Sequence, residues 1–182
     1  AQTALPAGSG PGSFVGGFMV GPVASPGQVT SGHLIAQQAR AVGGLPEEKV
    51  WAHLPPPLLS LLPAPTAAQL AAARQKFDLP PVFVLYPAQT WPHKNHANLL
   101  LALAVLRRDR GLTVPLICCG RLTEHSGALL RQAATLGLQG QARFLGHVSL
   151  PELAALYALC RCVALPSHFE GGGLPVGEAF WA

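Results

Sequence analysis

The sequence predicts an α/β protein in which helices cover both faces of a parallel sheet, a doubly wound arrangement. Three observations predict it. Short apolar runs recur at residues 82–86, 114–119, 142–145 and 162–165, and strands that read as near-continuous apolar runs belong to sheets buried on both faces. Helical spacing fills the stretches between them, so that strand and helix alternate in the order that right-handed crossovers require. Helix-start signals also stand where that order needs them. Thr66-Ala67-Ala68-Gln69 and Ser149-Leu150-Pro151-Glu152 are capping boxes, in which a hydroxyl and a longer polar side chain satisfy each other's unpaired amides.

Taken in order, residues 1–17 are rich in Gly, Ala, Ser and Pro without periodicity. They predict a disordered or displaced segment, and they lack the charged start of a signal peptide. A short apolar patch at 18–23 precedes a helical pattern over 29–42, which Gly43-Gly44 ends. Residues 49–62 run through Pro55-Pro56-Pro57, which excludes a helix there and predicts an extended connector. The helix opened by Thr66 runs to about Phe77, and Leu79-Pro80-Pro81 separates it from the strand at 82–86. A helix over 95–110, the strand at 114–119, a helix over 124–136 and the strand at 142–145 follow. Ser149 opens a helix to about Leu159, before the strand at 162–165. After a glycine-rich turn, Leu174-Pro175 opens the last helix, since proline is tolerated in a first helical turn. The first residue is not methionine and the last falls within this helix, so both ends are expected to be cut from something longer.

Composition excludes several classes. With 182 residues, 49% hydrophobic and 11% charged, the chain can bury a large α/β core, and disorder throughout is excluded. The formal net charge of +4 comes from scattered residues that form no basic stripe, so no nucleic-acid partner is expected. No apolar run approaches the ~20 residues that span a bilayer. Four cysteines occur as Cys118-Cys119 and Cys160-x-Cys162, which fits neither paired zinc ligands nor a disulfide scaffold. They read as small buried apolar residues and point to a reducing cytoplasm. There is no Gly-Lys pair for a P-loop, no G-x-G-x-x-G after a strand and no H-E-x-x-H. His93 and His96 flank Lys94, a spacing that by itself makes no metal site, and no metal is predicted.

The chemistry concentrates in Glu170-Gly171-Gly172-Gly173-Leu174-Pro175-Val176-Gly177-Glu178. Backbone amides at a helix start, with the positive end of its dipole, suit a phosphate, and glycines let a ligand approach the main chain. Glu178 falls about one turn into the helix, its side chain leaning back toward the start. Each feature also has a structural reading: helix starts attract acids, and glycines make turns. The combination after a strand, at the carboxyl edge of a parallel sheet, points to a phosphorylated sugar held between two acids.

The segment from Pro166-Ser167-His168-Phe169-Glu170 to Glu178-Ala179-Phe180 resembles the E-x7-E signature of retaining glycosyltransferases of the GT-B fold, particularly glycosyltransferase family 4. Tyr86-Pro87-Ala88-Gln89-Thr90-Trp91-Pro92-His93-Lys94-Asn95-His96 is similar to the donor-phosphate loop of that family. The two matches cover roughly residues 82–182. The resemblance implies a Rossmann-like C-terminal half of a GT-B fold, incomplete at both ends. Residues 1–48 would be a remnant of the N-terminal domain, 49–65 a linker and 66–182 a nucleotide-sugar-binding domain.

The activity implied is transfer of a hexose, mannose or glucose, from a GDP- or UDP-sugar to a glycan or lipid-linked acceptor. Lys94 and the amides of Gly172, Gly173 and Leu174, in the turn begun by Gly171, would receive the diphosphate. Glu178 would hold ribose hydroxyls, Glu170 would orient the donor sugar, and backbone atoms of Gly146-His147-Val148 would read the base. Many relatives carry an arginine five positions before the lysine, where Gln89 stands here. The donor is a substrate, and no cofactor is implied. The parent protein is expected in the cytoplasm, peripheral at the inner membrane face. Two other readings stay open: another nucleotide-sugar enzyme of this fold, such as an epimerase, and a non-catalytic donor-binding fragment or degenerate subunit.

Overall fold

The structure, a computed structural model, describes residues 13–15, 18–20, 28–30, 36–37, 40–52, 56–170 and 173–182. They form two compact units, residues 1–56 with 170–173 and residues 57–169 with 174–182.

In the first unit, β1 (Ser13–Val15), β2 (Phe18–Val20), β3 (Gln28–Thr30) and β4 (Val50–Ala52) lie in the order β1-β2-β3-β4. The first three pair antiparallel, while β3 and β4 pair in parallel with Val29 opposite Trp51. Two sequence expectations are corrected here. Residues 28–30, partly assigned to a helix, form a strand through their pairing with residues 50–52. The described helical residues of that stretch are 36–37 and 40–41. Residues 50–52, assigned to a connector, are a sheet strand, whose partner lies some twenty residues earlier and leaves no local trace. The predicted structureless start contains the strand β1, and its other residues, 1–12 and 16–17, lie outside the described ones, as does Pro55 of the proline run.

The second unit carries the alternation read from the sequence. Its elements are α1 (Ala67–Lys76), β5 (Val84–Pro87), α2 (His96–Arg110), β6 (Leu116–Cys119), α3 (Ser126–Thr135), β7 (Ala142–Phe144), α4 (Leu150–Leu159), β8 (Cys162–Val163) and α5 (Leu174–Trp181). The strands lie in the order β7-β6-β5-β8, all parallel. Side chains alternate between the two faces with the period of a strand. Tyr86, Leu116 and Cys118 pack with Leu100, Leu103 and Leu129 of α2 and α3 on one face. Leu85, Ile117 and Cys119 pack with Leu59 and with Ala154 and Leu156 of α4 on the other. Helices on both faces make the sheet doubly wound, as expected.

Strand limits moved by a few residues: β5 runs from Val84 through Pro87, and β7 stops at Phe144. β6 starts at Leu116, after Pro115, which has no N–H for the ladder, and β8 stops at Val163 rather than reaching residue 165. Thr66 caps α1 as predicted, with Gln69 N–H donating to its Oγ1 at 3.3 Å and Gln69 Oε1 accepting from its amide at 2.8 Å. The Ser149 amide likewise donates to Glu152 at 2.8 Å, and Glu152 forms an ion pair with Lys76 that joins α4 to α1.

A cavity of about 660 Å³ lies at the amino-terminal ends of the strands, between residues such as Pro81, Pro115 and Gln141. Its two arginines act as helix C-caps. Arg107 donates to the carbonyls of Leu136 and Gly137, and Arg143 to those of Phe77 and Asp78. Cations at these negative helix ends are structural, and ligands of open α/β sheets bind at the opposite, carboxyl edge.

Candidate functional site

At that carboxyl edge, the loops after β5, β6 and β8 are fastened to one another through main-chain atoms. The fasteners start from Tyr86, wholly buried in β5. Its Oη lies 2.5 Å from the Lys94 carbonyl oxygen and 3.0 Å from Ser167 Oγ. A phenol has one proton, so Tyr86 donates to Lys94 O and Ser167 donates to Tyr86. Asn95 Nδ2 donates to Pro166 O at 2.9 Å, and the His168 amide donates to His93 O at 2.8 Å. The lysine loop is thereby fixed to the segment that leads toward the first acid.

A second set of fasteners joins the loops after β5, β6 and β7. Thr90, 1% exposed, accepts from the Thr123 amide at 2.7 Å, while Thr123 Oγ1 donates to Thr90 O at 2.8 Å. The Thr90 amide reaches Arg121 O at 3.3 Å, and the Gly120 amide donates to Gly146 O at 2.8 Å. Gly120, with φ +136°, packs directly on the Ala88–Gln89 peptide. Lys94 and Arg121 are the lysine and arginine on these loops among the described residues, the Arg121 guanidinium lying 5.9 Å from the Trp91 ring centroid.

The predicted site residues that are among the described ones lie as follows. Lys94 is half-buried, ends a single 3-10 turn (Pro92–Lys94) and precedes Asn95, whose left-handed φ of 59° lets α2 start at His96. Gln89 is exposed, and its Oε1 accepts from the Trp91 indole at 3.0 Å. Val148 is half-buried against the second core cluster. Glu178, 7% exposed, accepts a 2.6 Å hydrogen bond from Tyr157. Leu174 opens α5 with its side chain exposed. Glu170 and Gly173 group with the first unit, Gly173 with φ +57°. Gly171 and Gly172 lie outside the described residues. The structure thus brings the Lys94 loop to residues 166–168 and sets Glu178 on the helix that follows β8, the strand beside β5.

Three contributors escaped the sequence reading. Tyr86 and Tyr157 look like ordinary apolar-face residues until their hydroxyls find partners across 81 and 21 residues. Thr90 carried a weak signal, a polar residue within an otherwise recognisable loop. His96, which flanks Lys94 in the sequence, is 2% exposed, stacks on Tyr86 at 4.5 Å and has no hydrogen-bond partner on either ring nitrogen. Burial first, then the nearby His125 and Lys94 charges, lowers its pKa to about 4; the Ala88 backbone opposes this weakly, without reaching hydrogen-bonding geometry. His96 is therefore neutral at pH 7. Cys118 and Cys119 are buried free thiols with raised pKa values, desolvation being the main cause, whereas Cys160 is half-buried and Cys162 exposed, against the expectation that all four are buried. Among the described residues, no group of three or more His, Cys, Asp or Glu side chains gathers to hold a metal, and no helix is long and apolar enough to cross a membrane.

A parallel sheet with such a fastened carboxyl edge has the layout at which open α/β sheets bind ligands, and comparison gives the chain a family. Residues 69–182 match the Glycosyl transferases group 1 family, and the chain belongs to it. Over 116 residues it is 33% identical to the serotype-specific mannosyltransferase WbdA of Escherichia coli, covering 63% of this chain and 14% of that protein. Over 97 residues it is 34% identical to the O-antigen chain mannosyltransferase B of Escherichia coli, covering 53% of this chain and 26% of that one. The chain therefore spans a minor part of these relatives. Among solved structures, Anabaena Alr3699/HepE in complex with UDP and glucose superposes with a TM-score of 0.67 at 23% identity, over 83% of this chain and 41% of that one. WaaG, a glycosyltransferase involved in lipopolysaccharide biosynthesis, gives 0.62 at 19% identity, over 83% and 40%. These neighbours are GT-B glycosyltransferases, and the second unit has the fold of their Rossmann-like C-terminal half.

Proposed function

We propose that this chain is the donor-binding part of a retaining family 4 hexosyltransferase, which moves mannose or glucose from a GDP- or UDP-sugar to a glycan or lipid-linked acceptor. The observation that carries it is the fastening of the Lys94 loop to residues 166–168 at the carboxyl edge, beside the helix that bears Glu178. The relatives named as mannosyltransferases and the neighbour solved with UDP and glucose support the substrate class.

Breaking the bond from the anomeric carbon to phosphate places negative charge on the leaving diphosphate and positive charge on the sugar ring. A cation and amide donors fixed in advance stabilise the first without reorganising during the reaction. Lys94 supplies the charge, and the turn from Gly171 to Leu174 supplies the amides. Gln89 contributes a polar side chain without charge, leaving the lysine as the ionic contact of its loop. Glu178 holds the ribose. Glu170 holds donor-sugar hydroxyls and orients the ring beside its oxocarbenium-like centre, a positioning role that depends on alignment more than on affinity. Val148 and its neighbours read the base through main-chain atoms. No metal takes part. The parent protein works on the cytoplasmic side, peripheral at the membrane face where a lipid-linked acceptor is presented.

Transfer assays on the longer parent with GDP-mannose and UDP-glucose, with the product anomer read by NMR, test the proposal. Glu170→Gln should lower kcat about a hundredfold with little change in KM, as expected for an interaction made in the transition state. Glu178→Ala should mainly raise the donor KM. An inverted anomer rejects retention, and unchanged constants in both variants reject the roles.

A further inference from the structure

Glu178 is not an open carboxylate awaiting a ligand. It is 7% exposed, and Tyr157 of α4, itself 4% exposed, meets it at 2.6 Å. The same phenol stands 3.5 Å from Pro175 O, and with one proton to give it donates along the shorter contact, to the carboxylate. A separation of 2.6 Å falls in the range of charge-assisted O–H···O⁻ bonds, the stronger kind. Burial, then the hydrogen bond and charge of Glu178, pushes the phenol pKa up, so Tyr157 keeps its proton and the direction of donation is fixed.

The contact also orients the acid. Tyr157 occupies Oε2, while Oε1 makes no hydrogen bond among the described residues. The carboxylate lies close enough to Cys119, the last residue of β6, to help burial raise that thiol to about 12. Glu178 therefore hangs over the strand ends, where a ligand of this sheet binds, with one oxygen fixed and the other available. A pair of neighbouring hydroxyls is the ligand group that suits a carboxylate presented this way, because both can donate to it. Orienting an acid before binding removes the cost of ordering it afterwards.

We infer that Tyr157 is a positioning residue that turns the Glu178 carboxylate toward the ribose diol and so sets the preference for ribonucleotides over deoxynucleotides. This rests on the donor-site reading above. The structural alternative is that the hydroxyl only joins α4 to α5.

The test measures binding of UDP, GDP and their 2′,3′-dideoxy forms to the 182-residue chain by calorimetry. In the wild type the ribose forms should bind more tightly by at least about tenfold, the value of a single hydrogen bond to a charged group, since the dideoxy forms lack both hydroxyls. That ratio should fall toward one in Glu178→Ala and also in Tyr157→Phe. Retention of the full ratio in Tyr157→Phe, with its loss in Glu178→Ala, overturns the inference and leaves the donor site standing. A ratio near one in the wild type, an unchanged ratio in Glu178→Ala, or no nucleotide binding overturns the ribose role of Glu178 and the inference with it.

Should Tyr157→Phe fail to fold, fluorotyrosine labelling of the wild-type chain gives the same answer, since it contains two tyrosines. The Tyr157 fluorine resonance, assigned with Tyr86→Phe, should shift with UDP and much less with dideoxy-UDP. Equal shifts with both overturn the inference.

Discussion

Alanine at Gly120 should loosen the whole carboxyl edge. The residue has φ +136°, and a Cβ there would stand 2.6 Å from both the carbonyl carbon and oxygen of Ala88 and 2.8 Å from the Gln89 nitrogen. Favourable carbon contacts lie at about 3.5–4.0 Å, so one of two backbones must move by about 1 Å. Neither can do so alone, because the Gly120 amide is bonded to Gly146 O and Thr90 is bonded to Thr123 on the same two loops. Backbone strain costs about 1–3 kcal/mol, and overpacking a further 1–3 or so. The loss is then about 2–6 kcal/mol. At roughly 4 °C per kcal/mol for a domain of about this size, Tm should fall by about 8–24 °C.

Gly111→Ala is the matched control, because its φ is +64° and nothing lies within 4 Å of the added carbon. It carries the conformational penalty of about 1–2 kcal/mol without the collision. Circular dichroism melts of the three chains decide the matter, with hydrogen exchange at residues 88–91 locating the change. A Gly120→Ala melt within about 2 °C of wild type, or no lower than that of Gly111→Ala, would refute the close-approach argument.

Two further outcomes follow from the same edge. Tyr86→Phe should cost about 1–3 kcal/mol in urea denaturation, because Lys94 O loses its phenol donor and Ser167 its phenol acceptor; a loss below about 0.5 kcal/mol would show that the bridge contributes little. His96 should make stability depend on pH in a defined window. Its pKa is about 4 when folded and 6.5 unperturbed, so on acidification the unfolded chain takes up the proton first. Its contribution is complete above pH 6.5 and is lost as pH falls toward about 4. The loss, about 3 kcal/mol, should disappear from the wild-type minus His96→Leu difference if the ring is not buried and neutral.

The alternation of the second unit was legible because its signals are local. Prolines, capping boxes and apolar runs each act within a few residues, and Leu116-Ile117-Cys118-Cys119, buried at every position, is the continuous apolar run of a strand covered on both faces. The first unit was less legible for the opposite reason. Gln28-Val29-Thr30 becomes a strand by pairing with Val50-Trp51-Ala52, and a partner that distant cannot be read from a window of ten residues. At the site, Lys94 and the acids could be named because their types and spacing carry chemistry. Tyr157 could not be, since only the tertiary fold reveals that its hydroxyl, and not merely its ring, has a partner. Nor does Gln89 in place of a cation reveal that its amide receives the Trp91 indole.

What the Pro92-His93-Lys94-Asn95-His96 motif encodes is chiefly the shape of a loop. Pro92 starts the 3-10 turn, His93 O accepts from the His168 amide, and Lys94 O accepts from Tyr86. Asn95 adopts the left-handed conformation that short polar side chains tolerate and donates to Pro166 O, while His96 fills the space against Tyr86. Backbone carbonyls of His93 and Lys94, the Asn95 side-chain amide and the packing of His96 thus hold the loop that carries the lysine side chain. Substituting the neighbours while keeping Lys94 should therefore misplace its charge, whereas substituting Lys94 alone should remove the charge and keep the loop. An electrostatic site tolerates misplacement poorly, because a charge stabilises a developing one only where it has been held in advance. The motif is informative because the residues around Lys94 fix the position of one side chain.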